Sequence, residues 1–211
     1  MAILVSNAPQ RSDEWRQLRA GRLTASVVSA IYGRRKDGKE TAERRDLRTR
    51  LALERILGKP LDDGYVNADM QRGIDLEAQA RACYEMRIGL PVSEVGFVYW
   101  DDLMVGCSPD GLVQDNGIIQ IKCPRPANLL AFIRTMEIPE DYRIQMIHEL
   151  MVTGRDWCDY VNYCPDLPGR LMMMVKGIGR DEVAAHELNV RQFLREVDEE
   201  EAQIRALQER A

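Results

Sequence analysis

The residues best placed to do chemistry sit in one stretch, Gly106-Cys-Ser-Pro-Asp-Gly-Leu-Val-Gln-Asp-Asn-Gly-Ile-Ile-Gln-Ile-Lys-Cys-Pro124. It holds an acid, Asp110, an amide, Gln120, and an amine, Lys122. Pro109-Asp110-Gly111 makes a tight turn, because Pro presets φ and Gly accepts positive φ. Leu112-Val113 and Ile118–Lys122 flank a second turn, Asp115-Asn116-Gly117, and together read as a β-hairpin. Side chains alternate along a strand, so Gln120 and Lys122 share one face while Ile119 and Ile121 take the other. Asp110, at the start of the partner strand, reaches the same spot. Carboxylate and amide oxygens suit a hard divalent cation, and an amine can orient a water or offset negative charge.

The spacing from Asp110 to position 120, with Lys122 two residues further on, resembles the PD-(D/E)xK nuclease core, except that Gln120 stands where that family expects Glu. Cys107-Ser-Pro-Asp-Gly-Leu112 and Ile121-Lys-Cys-Pro124 narrow the resemblance to the lambda exonuclease and YqaJ-type viral recombinase branch. The run Trp15-Arg-Gln-Leu-Arg19-Ala-Gly-Arg-Leu-Thr-Ala-Ser26 is similar to the Trp-x-x-Leu-Arg-x-Gly-x-x-Thr-Ala-Ser segment of that branch. Gly73-Ile-Asp-Leu-Glu77 and the Tyr142-x-x-Gln145 spacing match two further elements. The resemblance implies a metal site with Mg²⁺ or Mn²⁺ on Asp110, the side chain of Gln120, the main-chain carbonyl of Ile121 and Glu77, with Lys122 serving the attacking water. It assigns Arg19, Ser26, Ser108 and Gln145 to the DNA and its 5′-phosphate. Arginine suits that task, its planar fork matching phosphate oxygens.

The activity so implied is 5′-to-3′ degradation of one strand of linear double-stranded DNA bearing 5′-phosphorylated ends. It leaves 3′ single-stranded tails for phage-type recombination, beside a single-strand annealing protein and as a homotrimer. Gln120 has nearly the shape of Glu but lacks its charge, so the site is expected to hold metal less well. Three explanations stay open: a tolerated variant, a DNA-end binder that has lost catalysis, or a deliberate replacement that traps uncut DNA. An endonuclease on the same core is a further alternative.

Several elements must position these residues. Helices are expected near residues 12–20, 41–57, 68–87 and 128–136, then from Pro139 to Gly154, where Ile144, Ile147, Leu150 and Met151 repeat at helical spacing. Ser12 reads as an N-cap, Gly58 and Gly154 as stops. Thr24-Ala-Ser26 is expected to open a short helix. Strands are expected at Val95–Trp100, Leu103–Cys107, Trp157–Tyr163 and Leu171–Val175. An acidic helix closes the chain over residues 180–211. The fold class so assembled is α/β (α+β), with a restriction-endonuclease-like core: a mixed central sheet flanked by helices, as a single nuclease domain over residues 1–211.

Composition narrows the function classes. Nothing in 211 residues resembles a membrane span or a signal peptide, so the cytoplasm is the expected compartment, that of a bacterial host as the phage-type resemblance implies. Five cysteines without a Cys-x-x-Cys pair are expected to be small buried hydrophobes rather than a disulfide framework or a metal cluster. Met172-Met-Met174 reads as core, and His148 as a packed helix residue. The net charge of −5 argues against indiscriminate nucleic-acid binding. Residues 34–50 carry eight Lys/Arg against four Asp/Glu, and residues 181–211 nine Asp/Glu against four Arg. A basic region facing phosphate, with the acidic tail in solvent, is one expectation from that imbalance.

Overall fold

The computed structural model describes residues 2–61 and 67–210; between the helices expected near 41–57 and 68–87 the sequence reads as a polar loop, which lies largely outside the described residues. The helices fall where their caps and spacing place them. α1 (Asp13–Arg19) starts at Ser12, whose side chain accepts from the Trp15 amide. α2 (Ala42–Leu57) and α3 (Ala68–Ile88) are capped in the same way by Thr41 and Asn67, and both stop at a left-handed glycine. α4 (Pro126–Thr135) opens on proline, α5 (Glu140–Thr153) ends at Gly154, and α6 (Val183–Gln208) is the acidic C-terminal helix.

The strands are β1 (Ile3–Ser6), β2 (Leu23–Thr24), β3 (Val92–Ser93), β4 (Phe97–Trp100), β5 (Val105–Cys107), β6 (Gly111–Val113), β7 (Gly117–Lys122), β8 (Trp157–Tyr163) and β9 (Met173–Gly179). They form two mixed sheets flanked by helices: β1-β4-β5-β2, and β3-β6-β7-β8-β9. The expected hairpin is the antiparallel β6–β7 pair, with Gly111 opposite Ile119. β8 lies parallel to β7, and the crossover that a parallel pair demands is made by α4 and α5. That crossover sets α5 beside the face of β7 that carries Gln120.

Both faces of the larger sheet are covered. Ile118 and Tyr160 join a core with Met146, Ile147 and Leu150 of α5, and with Phe193 and Val197 of α6. Ile119, Ile121, Val161 and Tyr163 join a second core under Ala80 and Tyr84 of α3. Five of the six β7 residues are therefore buried, Gln120 among them at 3% exposure.

Three local expectations are corrected. Thr24–Ser26 opens no helix: Leu23–Thr24 pair in parallel with Val105–Gly106, and a 3-10 segment begins only at Val28. The late strand starts at Met173 and runs to Gly179, because its extent is set by pairing along the whole of β8 rather than by its own glycine-containing sequence. Two arginines of the basic stretch face the acidic helix rather than a groove. Arg44, 4% exposed, pairs with Glu40 and Glu196, while Arg48 pairs with Glu40 and Glu200. Arg55 adds Asp198, so the acidic helix is the partner of the basic one.

All five cysteines are free, with Cys107, Cys158 and Cys164 buried. Met173 is core, with Met172 packed against the same cluster and Met174 against the other. His148 is fully buried in α5 and shares a hydrogen bond of 3.0 Å with His186 of α6. No helix among the described residues is long and apolar enough to cross a membrane.

Candidate active site

Asp110 closes the turn between β5 and β6. Gly111 follows it because the backbone there runs against β3: a Cβ would stand 2.1 Å from Cγ1 of Val92. The β6–β7 register then brings Asp110 to the middle of β7. Its Oδ2 accepts from the Ile121 amide at 2.6 Å and from Nε2 of Gln120 at 2.5 Å. Gln120 is engaged at both ends, since its Oε1 accepts from Nε2 of Gln145 at 2.6 Å. The same Gln145 amide group donates to Oε1 of Glu149 at 3.0 Å. Acid, amide, amide and acid thus run in a chain from β6 across β7 to α5.

Lys122 leaves β7 on the same side as Gln120 and stands with its Nζ 4.6 Å from the ring centre of Tyr142, a cation–π contact that limits where the amine can go. Tyr142, Gln145 and Glu149 lie three and four residues apart on α5, hence on one helical face. From the other side, α3 supplies Glu77. Arg81, one turn on, donates to Glu77 at 2.8 Å and to the Asp110 carbonyl at 3.1 Å, and so ties the helix to the turn.

The N-terminal set is joined to this centre through one hydroxyl. The Arg19 guanidinium lies 4.1 Å over the Trp15 ring and donates to Thr24 and, at 3.1 Å, to Ser26. Nε1 of Trp15 donates to Oγ of Ser108 at 2.8 Å, and Ser108 donates to the Gly96 carbonyl at 2.7 Å. Ser108 therefore spends its hydroxyl on fixing Trp15 two residues upstream of Asp110. Arg19, Ser26, Glu77, Ser108, Asp110, Gln120, Ile121, Lys122 and Gln145 all line one cavity of about 920 Å³. None of the Lys or Arg residues of the 34–50 stretch lines it.

Electrostatically the cavity is crowded with acid. Burial pushes the Asp110 carboxyl up, against the pull of Lys122 and the Ile121 amide. Burial, then the charge on Asp110, raises Glu77. Glu149, with no exposed surface, is pushed up to about 8 by burial and then by Asp110. Among the described residues no three His, Cys, Asp or Glu side chains are gathered closely enough to hold a metal ion by themselves. The donors that fit one are of mixed kind: carboxylates of Asp110 and Glu77, the Gln120 side-chain oxygen and the Ile121 carbonyl, all hard oxygens. One buried carboxylate oxygen at the cavity, Oε2 of Glu149, has no hydrogen-bond partner.

Two residues at this centre escape the sequence reading. Arg81 was signalled only by its position four residues after Glu77. Glu149 was signalled by its position four residues after Gln145, inside a run otherwise read as core.

The sequence matches the YqaJ-like viral recombinase domain over residues 14–156. Among solved structures it is similar to an alkaline exonuclease, LHK-Exo, from Laribacter hongkongensis, at 35% identity and TM-score 0.82, covering 95% of this chain and 100% of that one. The same enzyme in complex with dAMP aligns at 35% identity, TM-score 0.84 and equal coverage. A phage-related exonuclease from Haemophilus somnus 129PT shares the fold, at 16% identity and TM-score 0.66, over 89% of this chain and 96% of that one. No curated protein matches. From the domain match over residues 14–156, supported by 35% identity along nearly its whole length to LHK-Exo, the chain belongs to the YqaJ-like viral recombinase family.

Proposed function

We propose that this chain is a metal-dependent exonuclease of the PD-(D/E)xK type, one nuclease domain over residues 1–211, which degrades linear duplex DNA from 5′-phosphorylated ends in the 5′-to-3′ direction. The observation that carries the reading is the convergence of Asp110, Gln120, the Ile121 carbonyl and Lys122 in one cavity with Arg19 and Ser26. The likeness to an alkaline exonuclease over 95% of the chain supports it. Mg²⁺ or Mn²⁺, when bound, would neutralise phosphate charge and favour attack by water.

This chain's own residues do the rest. Asp110, Gln120, Ile121 and Glu77 present the oxygens that hold the cation. Lys122, set against Tyr142, orients the attacking water and offsets charge on the scissile phosphate. Arg19, flattened on Trp15, and Ser26 beside it offer donors to the terminal phosphate. Gln145 holds position 120 in place. The product is a 3′ single-stranded tail, handed to a single-strand annealing protein; the working form is a homotrimer in the cytoplasm of a bacterial host.

A second reading is favoured by one contact. The Gln120 amide already satisfies Asp110 in the way a cation would, which suits a DNA-end binder without catalysis. Digestion of linear 5′-phosphorylated duplex with Mg²⁺, beside a covalently closed circle, separates the readings. The exonuclease degrades the linear DNA only, and loses this by about 100-fold or more in Asp110→Ala. Arg19→Ala slows digestion of 5′-phosphorylated ends more than of 5′-hydroxyl ends. Binding of ends without digestion favours the silent form, and cutting of the circle an endonuclease.

A further inference from the structure

We propose that Glu149 carries the second acidic function of this site, supplying from α5 the negative charge that position 120 on β7 lacks, and acting as a cation ligand. The proposal rests on the nuclease reading above and changes one conclusion drawn from the sequence: Gln120 then marks no disabled enzyme but one whose acid has a different anchor.

The first support is the link between the two positions. One amide group, Nε2 of Gln145, donates at 2.6 Å to Oε1 of Gln120 and at 3.0 Å to Oε1 of Glu149. Two oxygens held by one nitrogen are neighbours, so a carboxylate at 149 stands beside the place where a carboxylate at 120 would end. The second support is the state of Glu149 itself. It has no exposed surface and lines the cavity, yet its Oε2 has no hydrogen-bond partner. A buried carboxylate oxygen without a donor is costly unless something binds it. The third is its place on the helix. Met146, Ile147, Leu150, Met151 and Val152 around it are buried apolar side chains, and an acid among them serves packing badly. It lies instead on the face of Tyr142 and Gln145, which is turned to the cavity.

The amide at 120 also gains a reason. In the row Asp110, Gln120, Gln145, Glu149, each carboxylate meets an amide N–H and the two acids are kept apart. Exchanging the identities at 120 and 149 leaves the number of acids and amides at the cavity unchanged. Compensation between the two positions is therefore what the arrangement predicts.

The test reads Mn²⁺ binding by electron paramagnetic resonance, beside digestion of 5′-phosphorylated linear duplex. The proteins are the unaltered chain, Glu149→Gln, Gln120→Glu, the exchange Gln120→Glu/Glu149→Gln, and Asp110→Asn, each checked for folding by circular dichroism. Glu149→Gln is expected to weaken Mn²⁺ binding by about tenfold or more and to slow digestion, while the exchange variant recovers both. A purely structural Glu149 would change thermal stability without changing Mn²⁺ affinity, and the exchange would restore nothing. Mn²⁺ affinity and digestion unchanged in Glu149→Gln, with both lost in Asp110→Asn, overturns the proposal and leaves the nuclease reading intact. The proposal is equally overturned if the unaltered chain binds no Mn²⁺ and Gln120→Glu alone does. If no protein in the set binds Mn²⁺ or digests DNA, both readings fall. Should Glu149→Gln not fold, the exchange variant is compared with Gln120→Glu, which keeps Glu149: Mn²⁺ bound more tightly by Gln120→Glu supports the proposal, and equal affinity in the two overturns it.

Discussion

At position 120 the difference between an amide and an acid is one atom, and its consequence depends on what stands opposite. The Gln120 amide donates to Asp110 at 2.5 Å and accepts from Gln145, so in this chain both ends of the side chain at 120 are satisfied. A carboxylate at 120 would meet the Asp110 carboxylate at the same distance, in surroundings whose burial already pushes Asp110 up. Two such groups cannot both stay charged without a cation between them. Gln120→Glu is therefore expected to lower stability by about 2 kcal/mol in chelator, from a lost hydrogen bond and like-charge crowding. Millimolar Mg²⁺ should restore it, because ligand binding to the folded state alone stabilises that state. Urea unfolding with EDTA and with Mg²⁺ measures the difference. Equal midpoints for the variant and the unaltered chain in EDTA would mean that Asp110 and position 120 do not meet as described.

Between elements, the largest surprise is electrostatic. The basic run on and before α2 and the acidic run on α6 read as separate faces, one for phosphate and one for solvent, because sequence shows charge but not pairing. In the fold they are each other's partners, with Arg44 buried between Glu40 and Glu196 and lying over the Phe193 ring. Arg44→Met should cost about 1–3 kcal/mol, since it removes the buried guanidinium from between Glu40 and Glu196 and leaves Arg48 as their remaining partner. Affinity of the folded variant for duplex DNA should stay unchanged, because no residue of this run reaches the cavity. Urea unfolding and DNA titration at one salt concentration measure the two quantities, and a drop in affinity without a drop in stability would return the run to the DNA interface. The β6–β7 hairpin, by contrast, was legible to within a residue, because turn composition and strand alternation are local; its turn is 114–116 with Gln114 at positive φ, and Gly117, expected in the turn, already belongs to β7. So were the capped helices. Glu149 was not, because a single acid inside an apolar helical run shows its direction only once α5 is docked on β7.

For the molecule as a whole, the class of fold was readable and its division was not. Nothing local distinguishes a strand that joins one sheet from a strand that joins another. β1 pairs with β4 from some ninety residues away, and β2 is two residues long, held only by its parallel contact with β5. What binds the layers together was equally hidden: the buried His148 of α5 and His186 of α6 and the more exposed Tyr32 of the 3-10 segment form a hydrogen-bonded row, with 3.0 Å between the imidazoles and 2.8 Å to the phenol. This row sets a pH limit on the fold. Burial lowers His186 from 6.5 to about 4, and lowers His148 in the same direction, with the His186 charge as a second cause. A histidine whose folded pKa is depressed stays neutral in the folded chain while the unfolded chain takes up protons. Its contribution is therefore complete above pH 6.5 and is lost as pH falls toward 4. For His186 alone the loss by pH 5 is about 2 kcal/mol. Glu149 works in the opposite direction, since its raised value favours the folded state most below the ordinary carboxylate range and that contribution fades as pH rises through about 8. Over the same interval, from pH 7 to pH 5, the Glu149 contribution grows while the His186 contribution is lost, so the readout is the difference between two proteins. Against His186→Gln, which keeps a polar group in the row and leaves the Glu149 contribution in place, the unaltered chain should lose about 2 kcal/mol of unfolding free energy in urea between pH 7 and pH 5. An identical acid slope in the variant would assign the loss to other groups and leave the imidazole row as packing alone.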